Sequence, residues 1–265
     1  MKALYIFTCV AIGVSSPGLA QEGGDDADLA QQLSNPVADL ISVPIQLNYD
    51  ENIGLEDDGS RWTMNIQPVV PVSISENWNV ISRTILPVIS TDGIPSGSGS
   101  KEGLGDTVQS FFFSPKAPTA NGWIWGAGPV FLLPTSTDDR FGAGEWGVGL
   151  TGVALRQQGQ WTYGGLANHI VDVGGSDVDI NSTFLQPFLA FTTANAWTYT
   201  VNSESTYDWE AEEWSVPLNF TLAKLVRFGK QPVSIGAGVR YWAESSTNGP
   251  EDWGARFIMT FLFPK

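Results

Sequence analysis

Alternation of apolar and polar residues, repeated from Val43 to Phe263 in short segments, limits what this chain can become more than any other feature. A period of two turns one face of each segment toward an apolar surrounding and the other toward a polar one. After residue 20 there is no run of apolar residues long enough for a membrane-crossing helix, which needs about 18 or more. A tilted strand crosses the hydrocarbon in about 9–11 residues and shows lipid one face only. A chain built this way can sit in lipid with a mean hydropathy as low as −0.03.

Twelve strands are predicted, over 42–50, 62–74, 77–88, 106–113, 122–133, 146–156, 161–170, 180–192, 196–204, 214–226, 232–242 and 253–263. In the last, Trp253, Ala255, Phe257, Met259, Phe261 and Phe263 oppose Gly254, Arg256, Ile258 and Thr260. The second, tenth and eleventh alternate as cleanly. The fourth and eighth do not, and the run Phe111-Phe112-Phe113 leaves the inward face of the fourth unassigned.

Connections alternate in length as well. Those after even strands are mostly short, such as Ser75-Glu76 and Thr193–Asn195. Those after odd strands (51–61, 89–105, 134–145, 171–179, 205–213 and 243–252) are long and mostly polar. The six long loops hold 19 of the 28 acidic residues, whereas the short turns hold only Glu76. A soluble sandwich has no reason to sort loop length and charge by strand parity. Bacterial membrane barrels do so, with short periplasmic turns and longer outer loops. The expected fold is therefore an all-β, antiparallel up-and-down transmembrane β-barrel of about twelve strands with a short N-terminal helical segment.

The first twenty residues read as a signal peptide. Lys2 is followed by an apolar run from Ala3 to Val14, and Gly18 and Ala20 fit a cleavage point before Gln21. Cys9, the sole cysteine, falls inside that segment, which excludes disulfides and thiolate chemistry from the mature chain. Residues 21–41 are expected to form an acidic linker, Gln21–Asp28, and one short amphipathic helix over Leu29–Ile41 interrupted at Asn35-Pro36. This segment could plug the lumen or serve as a periplasmic tether. The barrel proper is expected over 42–265.

A net charge of −15 argues against nucleic acid as a partner. The expected surroundings are outer-membrane lipid and lipopolysaccharide in a Gram-negative cell, reached through the barrel-assembly machinery. Tryptophans near strand ends suit an interfacial girdle, with Trp62, Trp146, Trp214 and Trp253 at the outer rim and Trp78, Trp123, Trp161 and Trp197 at the periplasmic one. Arg83, Arg240, Arg256 and Glu204 fall on the polar faces of their strands, with Asn48, Gln67 and Asn219. Pairing about the 243–252 loop puts Arg240 opposite about residue 255, close to Arg256. Such arginines can set an anion preference, or can be held by Glu204, Glu212 or Asp50 in a network that closes the interior.

No catalytic constellation is evident. His169 is the only histidine, and two residues on stands Val171 rather than a serine. No metal-ligand spacing, phosphate loop or dinucleotide fingerprint appears, so neither metal nor cofactor is expected. Acidic loop stretches such as Thr137-Asp138-Asp139 match no Ca²⁺-loop spacing.

Several stretches together resemble the outer-membrane proteins grouped with the meta-pathway of phenol degradation, often described as transporters. They are Leu33-Ser34-Asn35-Pro36, Ser82-Arg83-Thr84-Ile85-Leu86-Pro87, Gly103-Leu104-Gly105-Asp106, Phe112-Phe113-Ser114-Pro115-Lys116, Gly122-Trp123-Ile124-Trp125-Gly126 with Gly128-Pro129, and Val239-Arg240-Tyr241-Trp242. The resemblance implies a signal-bearing outer-membrane barrel and supplies no catalytic residues. One departure is the end of the chain, where Pro264-Lys265 follow Phe263. The expected function is passive passage of small solutes, aromatic or apolar ones included. The alternative is a non-conducting structural or adhesive barrel acting through its acidic outer loops.

Overall fold

The computed structural model describes residues 18–173 and 179–264, with side chains from Gly24 onward. Most of the expected signal peptide, residues 1–17, lies outside the described residues, as do 174–178 of the fourth long loop and Lys265. One helix, α1 (Gly18–Leu33), precedes the strands. The strand segments are β1 (Ile41–Ile53), β2 (Gly59–Ile66), β3 (Val69–Ser73), β4 (Trp78–Asp92), β5 (Lys101–Leu104), β6 (Thr107–Pro115), β7 (Trp123–Leu133) and β8 (Gly147–Gln158). They continue with β9 (Trp161–Asp172), β10 (Asn181–Thr192), β11 (Trp197–Ser203), β12 (Ser205–Asp208), β13 (Glu213–Phe228), β14 (Gln231–Glu244) and β15 (Asp252–Phe263).

These segments make twelve staves, because β2 with β3, β5 with β6, and β11 with β12 each form one interrupted stave. Every pairing is antiparallel between sequence neighbours, and the sheet closes where β1 meets β15 from Ile41↔Phe263 to Tyr49↔Ala255. Each of the twelve predicted strands is present. The three interruptions have local causes. Pro68 has no N–H to give the ladder between β2 and β3. Asp106 turns aside to the outer loops, and Glu204 reaches into the lumen.

Outward faces carry large apolar side chains. On β15, Trp253, Phe257, Met259 and Phe263 are exposed while Arg256, Thr260 and Leu262 are buried. On β13, Phe220 and Leu222 are exposed while Asn219 is buried. A soluble monomer rarely shows a contiguous apolar patch beyond a few hundred Å². A belt running round the whole barrel is suited to hydrocarbon.

The two irregular strands now have a register. On β6, Ser110, Phe112 and Ser114 are buried inside while Phe113 is exposed outside. On β10, Phe184, Phe188 and Ala190 face inward and Leu185 and Leu189 outward. Alternation fails in these sequences because the inner wall is itself apolar there. Val37 of the N-terminal segment packs against Ile81, Phe112, Val153, Leu155 and Leu166 inside the barrel.

That contact favours the plug over the tether. Ala30 and Leu40 pack with Ala196, Leu225 and Leu262 at the end bearing the short turns. Gln31 donates from Nε2 to the Gly159 carbonyl (2.7 Å) and accepts at its own carbonyl from Gln157 Nε2 (2.9 Å). Arg227 pairs with Asp26 at 2.6 Å. The expected helix boundaries need correction. The stretch expected to be a linker, 21–28, is helical, and α1 stops at Leu33 instead of continuing to Ile41. Pro36 disfavours helix at the residue before it, and the Asn35 side chain instead accepts from the Val37 N–H at 3.0 Å.

Three of the long loops carry structure of their own. β5 folds back on β4 within 89–105, from Val88↔Leu104 to Thr91↔Lys101, and β12 extends the wall within 205–213. The loop 134–145 is pinned over β5 and β6. Asp106 accepts from the Ser136 N–H (3.0 Å) and the Gly144 N–H (2.9 Å), and Phe141 is buried close to Gly103. Asp138 ties Lys101 to Arg140. Hydrogen bonds from Lys101 first, then Arg140, hold the Asp138 carboxyl below the usual carboxylate range. A depressed acid contributes stability that is complete above its ordinary value, roughly pH 4, and is lost as pH falls through the depressed one. The clip is therefore closed at neutral pH and opens only in strong acid. Asp138→Asn should speed tryptic cleavage after Arg140 at pH 7.5 by about two- to fivefold, as expected for an exposed pair. An unchanged rate would mean that Asp106 holds the loop alone.

Candidate functional site

Strand parity carries a set of polar side chains to the lumen, chiefly from β1, β2, β4 and β11–β15. Arg256 is 1% exposed and forms the centre of one group. Its two terminal nitrogens donate to Glu204 in parallel, at 3.0 Å and 2.6 Å, and its Nε donates to Asn48 Oδ1 at 2.7 Å. Two-point pairing fixes orientation as well as charge, which is what a planar guanidinium does best against a carboxylate. Asn48 faces Arg256 across the closing seam between β1 and β15, so the same contacts join the two ends of the sheet.

A second group centres on Asp50, which is 1% exposed. Arg240 Nε lies 3.5 Å and Arg61 Nη2 3.8 Å from its carboxylate, and Trp242 Nε1 donates to it at 3.0 Å. The Arg240 guanidinium also stacks 4.9 Å from the Trp242 ring centre. The predicted proximity of the two arginines holds, with the register shifted by one: Arg240 faces Gly254, and Arg256 faces Gly238. Glycine opposite each arginine leaves space for a long side chain. Of the expected anchors, Glu204 and Asp50 are used. Glu212 is exposed outside the lumen.

Arg83 differs from the others. Among the described residues its guanidinium makes one hydrogen bond, from Nη2 to Gln67 Oε1 at 3.1 Å, and no carboxylate forms an ion pair with it. It lines a cavity of about 260 Å³ between the N-terminal segment and the wall. Gln67, Glu204 and Arg256 share that cavity with Val69, Phe188 and Leu40, so its lining is both polar and apolar.

Arg83, Arg240, Arg256 and Glu204 thus face one interior, as their strand parity implied. Arg61, Trp242 and Asn202 belong to it too and were missed. Arg61 falls at the end of the predicted loop 51–61, although it shares the parity of Thr63 and Asn65; Trp242 shares that of Arg240. Asn202 accepts from Asn219 Nδ2 at 2.9 Å. Of the eight girdle tryptophans, seven are exposed at strand ends and Trp214 is half-buried beside Tyr207.

His169 faces outward, with Nδ1 2.9 Å from the Thr183 hydroxyl, and Thr183 also accepts from Trp209 Nε1 at 2.8 Å. Among the described residues no three His, Cys, Asp or Glu side chains cluster as a metal site would require.

No protein-family model matches this chain, and no curated protein matches it. Solved structures do. The COG4313 outer membrane channel from Pseudomonas putida F1 is 15% identical, with a TM-score of 0.64 over 84% of this chain and 95% of that one. The outer membrane phospholipase of Salmonella typhi is 12% identical, covering 91% and 98% at a TM-score of 0.47. A Pseudomonas aeruginosa FadL homologue is 8% identical, covering 91% and 94% at 0.40. At these identities the first likeness concerns the fold, and the two weaker ones carry no argument.

Proposed function

We propose that this chain is an outer-membrane channel for passive diffusion of small solutes, with a preference for anions. One observation carries the reading: in a chain of net charge −15, the lumen network sets four guanidinium groups against two carboxylates. An interior of opposite sign to the whole protein raises the local concentration of anions. The apolar belt and the sorting of acidic loops to one end support the membrane setting. The fold-level likeness to a protein described as an outer membrane channel agrees with it.

The apolar half of the lumen wall, with Phe112, Phe184 and Phe188, supports solutes that are themselves partly apolar or aromatic. This accords with the sequence resemblance to proteins grouped with phenol degradation. In this reading the lumen arginines are selectivity elements and the tryptophans hold the barrel at the lipid interfaces. The same reading takes the chain as non-enzymatic: among the described residues His169 lies beside the Thr183 hydroxyl, which also accepts from Trp209 Nε1 on the outward face, away from the lumen.

The second reading, a non-conducting barrel acting through its acidic loops, is favoured by the packing of the N-terminal segment in the lumen. Planar-bilayer recording separates the two. Under a KCl gradient the channel reading expects discrete current steps and a reversal potential displaced toward that of chloride. Arg83→Gln should move the reversal potential back toward zero. Protein shown to be folded and inserted that passes no current would overturn the channel.

A further inference from the structure

We infer that the cavity at Arg83 is a binding site for a small monocarboxylate with an apolar or aromatic body, a conclusion that deepens the channel reading and rests on it for the route of entry. The argument begins with charge. Arg256 is saturated by Glu204 and Asn48, and Arg240 is engaged by Asp50 and the Trp242 ring. Among the described residues the Arg83 guanidinium has one hydrogen-bond partner, the neutral Gln67, which leaves most of its donors uncommitted where it lines the cavity. A guanidinium presents five N–H donors in a fixed plane, and a carboxylate is the planar acceptor that matches two of them.

Geometry narrows the ligand further. At about 260 Å³ the cavity falls below the range of about 300–1,000 Å³ typical of drug-sized ligands, so the solute is small. Glu204 lies on the same cavity with its charge committed to Arg256, which disfavours a second negative group on the ligand. Val69, Phe188 and Leu40 on the same lining offer a surface for a hydrocarbon body. Gln67, already bonded to Arg83, holds the guanidinium plane and can donate its own amide N–H to the bound acid. Binding here would place the solute against the N-terminal segment.

Calorimetric titration of the full, detergent-folded protein with benzoate, hexanoate and benzyl alcohol tests the site. Both carboxylates should bind, and benzyl alcohol, which has the same body without the charge, should bind about tenfold more weakly. Arg83→Gln should weaken benzoate by about tenfold and leave benzyl alcohol unchanged, while Arg83→Lys should recover part of the loss. Phthalate should bind less well than benzoate. The comparison of ligands on the unmodified protein needs no variant to fold. Equal binding of benzoate and benzyl alcohol, or of benzoate to wild type and Arg83→Gln, would overturn the site. Chloride current without benzoate binding would overturn the site and leave the channel. Arg83-dependent benzoate binding without current would uphold the site and overturn the channel.

Discussion

Replacing Glu204 by alanine is expected to lower the temperature at which the folded barrel unfolds by roughly 6–12 °C, read as the loss of the fast-migrating band on detergent gels. The reason is the burial of Arg256 at 1% exposure with Glu204 as its one carboxylate partner among the described residues. Removing one member of a buried pair leaves an uncompensated charge, at a cost of about 3–5 kcal/mol. The lower end applies because the Glu204 side chain is 20% exposed to the cavity. At about 2–4 °C per kcal/mol for a domain near this size, a loss of about 3 kcal/mol gives the stated shift. The double variant Glu204→Leu with Arg256→Met should recover most of it, since removing both charges removes the desolvation penalty as well. Arg227→Ala, which breaks the exposed pair with Asp26, should move the midpoint by no more than about 2 °C. If Glu204→Ala and Arg227→Ala shift it equally, the lumen pair is not a structural clamp.

The same pair explains an irregularity in the wall. β11 and β12 would be one strand but for Glu204, whose N–H reaches the Pro217 carbonyl only at 3.4 Å while its side chain extends to Arg256. Pro217 lies on the facing strand beside a register shift between Val216 and Pro217. A local break in the ladder thus coincides with the residue that crosses the lumen, as bulges commonly do where a side chain must be re-aimed.

How far the sequence was legible depended on which environment each face met. Where a strand separates lipid from a polar lumen, as β15 does between Phe257 and Arg256, period two is visible and both face and register follow. Loop lengths and charges fixed the strand parity and the even count. The fourth and eighth predicted strands were opaque because Phe112, Phe184 and Phe188 pack inside against Val37, and two apolar faces leave no alternation to read. The shape of the N-terminal segment was equally hidden. Nothing in Asp25-Asp26 announces that Asp26 will pair with Arg227, a partner remote in sequence. Arg83, Arg240, Arg256 and Glu204 could be found by parity alone. Their division into cations with and without an ion pair among the described residues could not, because it depends on which carboxylates the closed barrel brings within 4 Å.

On the channel reading proposed above, deleting residues 24–38 is expected to raise single-channel conductance several-fold while the barrel still assembles. Assembly should survive because closure runs through the β1–β15 ladder, which begins at Ile41, beyond the deleted stretch. Twelve strands enclose a lumen between that of eight-stranded barrels, filled by side chains, and that of the open porins. Its width therefore depends on what lies within, and here α1 and the turn after it occupy the end bearing the short turns. The deletion uncovers Ile81, Phe112, Leu155 and Leu166 to water, so some thermal stability should be lost along with the obstruction. The anion preference proposed above should fall too, since ions in a wider bore pass farther from Arg83 and Arg256 and are screened within about 10 Å at 0.1 M salt. Arg227→Glu offers a gentler test: repulsion from Asp26 should lengthen open times without changing the size of the largest current step. A deletion variant that inserts and conducts as the full chain does would show that the N-terminal segment does not obstruct the pore, and the constriction would then have to be sought in the side chains around Arg256.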